Sequence, residues 1–67
     1  MTNEKMDLAL EIATEYLRLE KLENDAEVSG DLEHAENLNK RKWRTKRIAD
    51  EEGVTKEFYK ATAQLRG

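Results

Sequence analysis

Val28-Ser29-Gly30-Asp31 is the stretch on which the fold turns. Gly30 takes the left-handed backbone that ends a helix without the steric penalty of a side chain. Asp31 is a good N-cap for a following helix, and Glu33 sits in its first turn, where a carboxylate complements the helix dipole. A stop signal and a start signal this close predict a tight helix–helix turn. The sequence on either side then forms an antiparallel hairpin, with one helix over about residues 4–28 and a second over about 31–52.

Upstream of the turn, Thr2 or Asn3 can cap the first helix, and Glu4 and Asp7 suit its positive end. Its apolar residues are too many for one stripe at about 100° per residue. Met6, Ala9, Leu10, Ala13, Tyr16 and Leu17 form one face, and Leu8, Ile12, Leu19, Leu22 and Ala26 form an adjoining one. Asp7, Glu11, Thr14, Arg18, Lys21 and Asp25 fill the remaining polar strip. An apolar arc this wide calls for more than one neighbour. Two further helices of the same chain can supply them, and a second copy of the chain is another candidate, which would make the protein a dimer.

Downstream of the turn, Leu32, Ala35, Leu38, Trp43 and Ala49 form the inward arc of the second helix, interrupted by Asn39, Lys42 and Lys46. This places Trp43 near Tyr16 and Leu17. The stems of Lys42 and Lys46 would cover apolar surface while their ammonium groups reach Glu15 or Glu20. Gly53 is a second punctuation, and a third helix over about 54–65 carries Val54, Phe58, Ala61 and Leu65 on one face. Arg66 and Gly67 are expected to fray. Together these elements predict an all-α fold: a long antiparallel helical hairpin closed by a short third helix, in one domain over residues 1–67. The segment Gly30-Asp31-Leu32-Glu33-His34-Ala35 resembles the turn of tetratricopeptide-type hairpins. No second copy recurs at a fixed spacing, so a repeat array is rejected.

Length and composition narrow the function. A chain of 67 residues buries only about 60% of its unfolded surface and is marginally stable without help. No cysteine is present to supply a disulfide or a thiolate metal site, and one histidine cannot build a histidine site. Charged residues make up 40% of the chain, proline is absent and helix formers dominate. No apolar run approaches the length of a transmembrane span. Residues 1–7 lack the basic-then-apolar order of a secretory signal, so the expected compartment is the cytoplasm. A nucleophile–base–orienter constellation is missing, and the three glycines are isolated, so no loop is suited to cradle phosphates. Carboxylates four apart, such as Asp7, Glu11 and Glu15, read as a solvated helix face, and His34 as a surface residue. The expectation is therefore a non-enzymatic protein without cofactor, metal, small-molecule substrate or membrane contact.

The net charge of −3 conceals a strong asymmetry. Residues 1–39 carry three Lys/Arg against eleven Asp/Glu, whereas residues 40–67 carry nine against four. The basic half is led by Lys40-Arg41-Lys42-Trp43-Arg44-Thr45-Lys46-Arg47, six cations around the sole tryptophan. Two readings stand. The cluster neutralises the acidic first helix, which accounts for Lys42 and Lys46. Alternatively it contacts nucleic acid, since Lys40, Arg44 and Arg47 fall at i, i+4 and i+7 on the outward face, with Arg41 alongside, and could follow phosphates.

Ile48-Ala49, then Gly53-Val54-Thr55, carry a further pattern within residues 45–64. This segment resembles the helix-turn-helix of bacterial and phage regulators. In that family a hydrophobic residue and an alanine precede a turn glycine by five and four positions, and a small aliphatic and a Ser/Thr open the recognition helix. The resemblance implies that Thr55, Lys56, Glu57 and Lys60 sit where family members touch DNA. Tyr59 and Thr62 depart from the pattern, standing where the family has aliphatics, and the acidic run 50–52 would face the DNA. The preferred expectation is a small regulatory or accessory protein of bacterial or phage type, binding nucleic acid through Lys40, Arg41, Arg44, Arg47, Lys56 and Lys60. The alternative is an adaptor or inhibitor that binds another protein through its acidic, broadly apolar first helix.

Overall fold

The structure is a computed structural model that describes residues 3–67. The chain forms α1 (Glu4–Val28), α2 (Leu32–Glu51) and α3 (Thr55–Arg66). These are the expected long hairpin and short third helix, a three-helix bundle of Cα extents 46 × 25 × 13 Å. Asn3 caps α1, its Oδ1 accepting from the Met6 backbone N–H at 3.1 Å; Thr2, the other candidate cap, lies outside the described residues. Among the described residues no helix is long and apolar enough to cross a membrane.

Both turns end their helices in the same way. Gly30 has φ +83° and Gly53 φ +70°, the left-handed region that a glycine enters freely. At the first turn the Asp31 N–H donates to the Ala26 carbonyl and the Gly30 N–H to Glu27. At the second, the Val54 N–H donates to Ala49 and the Gly53 N–H to Asp50. This double-bonded pattern satisfies carbonyls that would otherwise be orphaned at the helix ends. Asp31 also starts the next helix, its Oδ1 accepting from the His34 N–H at 3.2 Å. Val54 and Ala49, joined by the second turn, are both buried, so the turn at Gly53 is also part of the core.

The hairpin is held by a seam of period seven. On α1 it runs through Ala9, Ile12, Tyr16, Leu19, Glu23 and Ala26, spaced alternately by three or four residues; on α2 it runs through Ala35, Leu38, Lys42 and Ala49. Such a spacing is the signature of two helices packed side by side. Near the Gly30 turn, Leu19, Ala26, Ala35 and Leu38 form one buried cluster. At the other end Ala9, Ile12, Ala13 and Ala49 join Val54, Phe58 and Ala61 in a second. α3 packs chiefly on α1, only lightly on α2. The Phe58 ring meets the edge of Tyr16 at a centroid distance of 5.2 Å. The wide apolar arc of α1 is thus divided between α2 and α3.

Several expectations are corrected. Trp43, assigned to the inward arc, is 54% exposed, because Lys42 holds the seam position and the next residue is turned about 100° away. Leu32 is 71% exposed, since it opens α2 at the hairpin tip, beyond the paired part of α1. Leu65 is half-exposed, and Thr62 is buried beside Phe58 and Ala61 in its place. Arg66 does not fray: it lies in α3, and its Nη2 donates to Glu20 Oε2 at 2.7 Å.

Candidate nucleic-acid interface

Six cations in eight residues are sorted by the hairpin register into different roles. Lys42 and Lys46 serve the fold, though not with the partners expected from the sequence. Lys42 reaches neither Glu15 nor Glu20 but donates to Glu23 Oε1 at 2.8 Å, and both side chains are largely buried. Asn39 Nδ2 donates to the other Glu23 oxygen at 2.8 Å. Glu23, Asn39 and Lys42, three of the polar residues that break the apolar pattern of the two helices, therefore satisfy one another. The hydrogen bond from Lys42 holds the Glu23 carboxyl below its ordinary range against the opposing effect of burial, and Asn39 adds to it. For Lys42, burial favours the neutral amine, but the bond and charge of Glu23 outweigh it and the ammonium is held above its ordinary range.

Lys46 pairs within its own helix, 3.1 Å from Asp50 Oδ2, and its ammonium lies 5.8 Å from the Tyr59 ring centre. Asp50 also accepts from Thr55 Oγ1 at 2.6 Å, so one carboxylate ties the end of α2 to the start of α3. The bond from Thr55 is the larger cause of the lowered Asp50 pKa, with Lys46 second. Arg41 lies on the flank of α2 toward α1. The Arg18 hydrogen bonds hold the Glu15 carboxyl below its ordinary value, and the charge of Arg41 contributes.

The remaining cations make a surface. Lys40, Trp43, Arg44 and Arg47 share one outward stripe of α2, and with Asn39 they line a shallow groove of about 300 Å³. Lys40 has a loose, exposed pairing with Glu36 at 3.7 Å. No carboxylate among the described residues forms an ion pair with Arg41, Arg44 or Arg47. The Lys42 ammonium lies 5.6 Å from the centre of the Trp43 ring. Glu23 anchors that ammonium, so the ring is braced from the core side while more than half of the residue meets solvent.

Lys56 and Lys60 are exposed on α3, free of ion pairs with the described residues, and take no part in the groove. Of the helix-turn-helix resemblance, the turn at Gly53 is present and Ala49 and Val54 are buried, whereas Ile48 is 46% exposed and Thr55 is engaged by Asp50. Comparison with protein-family models, curated proteins and solved structures finds no match for this chain. The site is therefore interpreted from its own chemistry. Sequence reasoning placed Lys40, Arg44 and Arg47 on a common outward face, as found. It weighed Trp43 as a base-stacking residue but preferred the hairpin core for it, and it missed Glu23. The signal for Glu23 lay in its spacing, four residues after Leu19 and three before Ala26, which sets it on the seam.

Proposed function

We propose that this chain is a non-enzymatic nucleic-acid-binding protein that uses the outward stripe of α2. One observation carries the reading: among the described residues Arg44 and Arg47 have no carboxylate partner and stand beside an exposed tryptophan, while Lys42 and Lys46 of the same segment are engaged within the bundle. Neutralising the acidic first helix accounts for Lys42 alone, since Lys46 pairs with Asp50 of its own helix, and leaves the arginines without a role. Guanidinium groups pair well with phosphate oxygens, and each neutralised phosphate releases counterions and makes binding salt-dependent. Lys40 and Arg41 support the stripe from its edges. Lys56 and Lys60 form a separate, secondary basic face. The test is a fluorescence-anisotropy titration against short duplex and single-stranded DNA at about 50 and 200 mM salt, a range over which phosphate contacts weaken markedly. The wild type is expected to bind more weakly at the higher salt. The Arg44→Ala/Arg47→Ala double variant should keep its fold and lose affinity, with a shallower salt dependence; unchanged binding by that variant would refute the proposal.

A second reading, a protein-binding role, is favoured by exposed apolar residues at the hairpin tip. Val28 is 82% and Leu32 71% exposed, on either side of the Gly30 turn. Under this reading, replacing Val28 and Leu32 by serine, rather than replacing the arginines, abolishes association.

A further inference from the structure

The stripe on α2 differs from a plain phosphate-binding face in two ways, and both bear on the kind of nucleic acid it fits. The first is Trp43. Its ring lies among Lys40, Arg44 and Arg47, exposed, and braced from the core side by Lys42. A duplex offers only base edges in its grooves, because its base faces are stacked on one another. An aromatic ring among cations gains from nucleic acid when an unpaired base can lie on it, and such stacking is tolerant of sequence.

The second is the end of the stripe. Glu36 lies four residues before Lys40, and Glu51 four residues after Arg47, so carboxylates close the stripe at both ends. Both are exposed. A phosphate chain laid along α2 meets like charge beyond either limit. The open part, Lys40 to Arg47, covers about 10 Å of helix at 1.5 Å per residue. Three cations of the stripe, Lys40, Arg44 and Arg47, stand in that length, so the stripe neutralises about three phosphates.

We infer that the stripe is a short single-strand site, in which Lys40, Arg44 and Arg47 hold about three phosphates and one unpaired base stacks on Trp43. The inference rests on the nucleic-acid reading above. Lys42 is a positioning residue here: pinned by Glu23, it supports the ring without needing to touch the ligand. Affinity is set by a few nucleotides, so lengthening the strand beyond the stripe adds binding positions but no further contacts.

Trp43 is the sole tryptophan, so its fluorescence reports the proposed stack directly. The experiment titrates the full chain with single-stranded oligothymidylates of increasing length and with a hairpin duplex, following Trp43 quenching and, separately, anisotropy of labelled strands. The expected result is quenching by single strands, affinity per binding position that stops rising after a few nucleotides, and a log–log salt slope of about −2 for three phosphates. Trp43→Ala should weaken single-strand binding by about five- to a hundredfold while its circular-dichroism spectrum shows it folded at the temperature of the titration, and Trp43→Phe should restore much of the affinity. Tighter binding to the duplex overturns the inference, as does unchanged affinity in Trp43→Ala, and both leave the nucleic-acid reading standing. Absence of binding to either polymer at low salt overturns both.

Discussion

Trp43 stands one residue along from the α1–α2 seam, and one residue of a helix is about 100° of rotation. That single step separates a core tryptophan from a surface one. The consequence for stability is direct: Trp43 is 54% exposed, so Trp43→Ala removes only part of the contact of a core tryptophan and should cost about 0.5–1.5 kcal/mol, well below a core truncation. Phe58 is the opposite case, 2% exposed between Tyr16 and the alanines of α1. Phe58→Ala should cost about 3–5 kcal/mol, a large share of what a chain this small possesses. Thermal melts of the two variants side by side check the assignment. An equal drop for both would place Trp43 in the core after all. Glu23 is the third instructive residue. Without Lys42 its carboxylate would keep only the Asn39 hydrogen bond in a largely buried place, so Lys42→Met should cost about 1–3 kcal/mol. Adding Glu23→Leu should recover much of that loss, because replacing a whole buried pair by apolar side chains is often close to neutral. A double-mutant cycle by urea unfolding measures the coupling; additivity would show that the pair is not coupled.

At the level of the elements, the two glycine turns fix where each helix stops. Neither Gly30 nor Gly53 has a neighbour that an added methyl group would strike. The penalty for alanine at Gly53 is therefore conformational, about 1–2 kcal/mol for holding an L-residue at positive φ. Unfolding free energies of Gly53→Ala and of Lys56→Ala, a surface control on the next helix, should differ by that amount in denaturant titrations, and equal values would show that α2 can end without the left-handed residue. The α1–α2 pairing also sets a pH window. The Glu23 pKa is lowered on folding, so its contribution is full above the ordinary 4.5 and is lost as pH falls through the lowered value. The Lys42 pKa is raised, so its contribution is full below the ordinary 10.5 and is lost as pH rises through the raised value. Melting temperature against pH should show a plateau between these limits. Glu23→Gln should lower the plateau and flatten its acid edge; an unchanged acid edge would assign that edge to the exposed Glu15 and Asp50 instead.

For the whole molecule, the decisive fact is that α1 is shared. α2 lies along its length in an antiparallel hairpin, and α3 covers the end that carries Ala9, Ile12 and Ala13. Neither short helix has a core of its own. Deleting residues 54–67 removes Val54, Phe58 and Ala61 and uncovers that half of α1, leaving only the cluster around Leu19 and Leu38. The truncated chain should lose its cooperative thermal transition by circular dichroism while keeping part of its helical signal; a sharp transition at the wild-type temperature would show that the hairpin folds alone. The ion pair between Arg66 and Glu20 ties the last turn of α3 back to α1, but both side chains are exposed, and such pairs contribute about 0.2–1 kcal/mol.

The helix count, the two glycine turns and the outward grouping of Lys40, Arg44 and Arg47 could all be read from the residues before any fold was in view. These follow from local rules: capping residues, left-handed glycine and the angular spacing of neighbours on one helix. The core of α3 at Phe58 and Ala61 was legible for the same reason. The register between α1 and α2 could not be read in that way, nor could the placement of Trp43 outside, Glu23 inside, and Lys42 rather than its neighbour on the seam. The physical reason is that both arrangements bury apolar area on the same face of α2 and differ by one residue's rotation. What separates them is whether Glu23, Asn39 and Lys42 can meet across the hairpin, a match between residues sixteen and nineteen positions apart. Pairing at that range is a property of two helices together, and it leaves the tryptophan among the arginines on the surface.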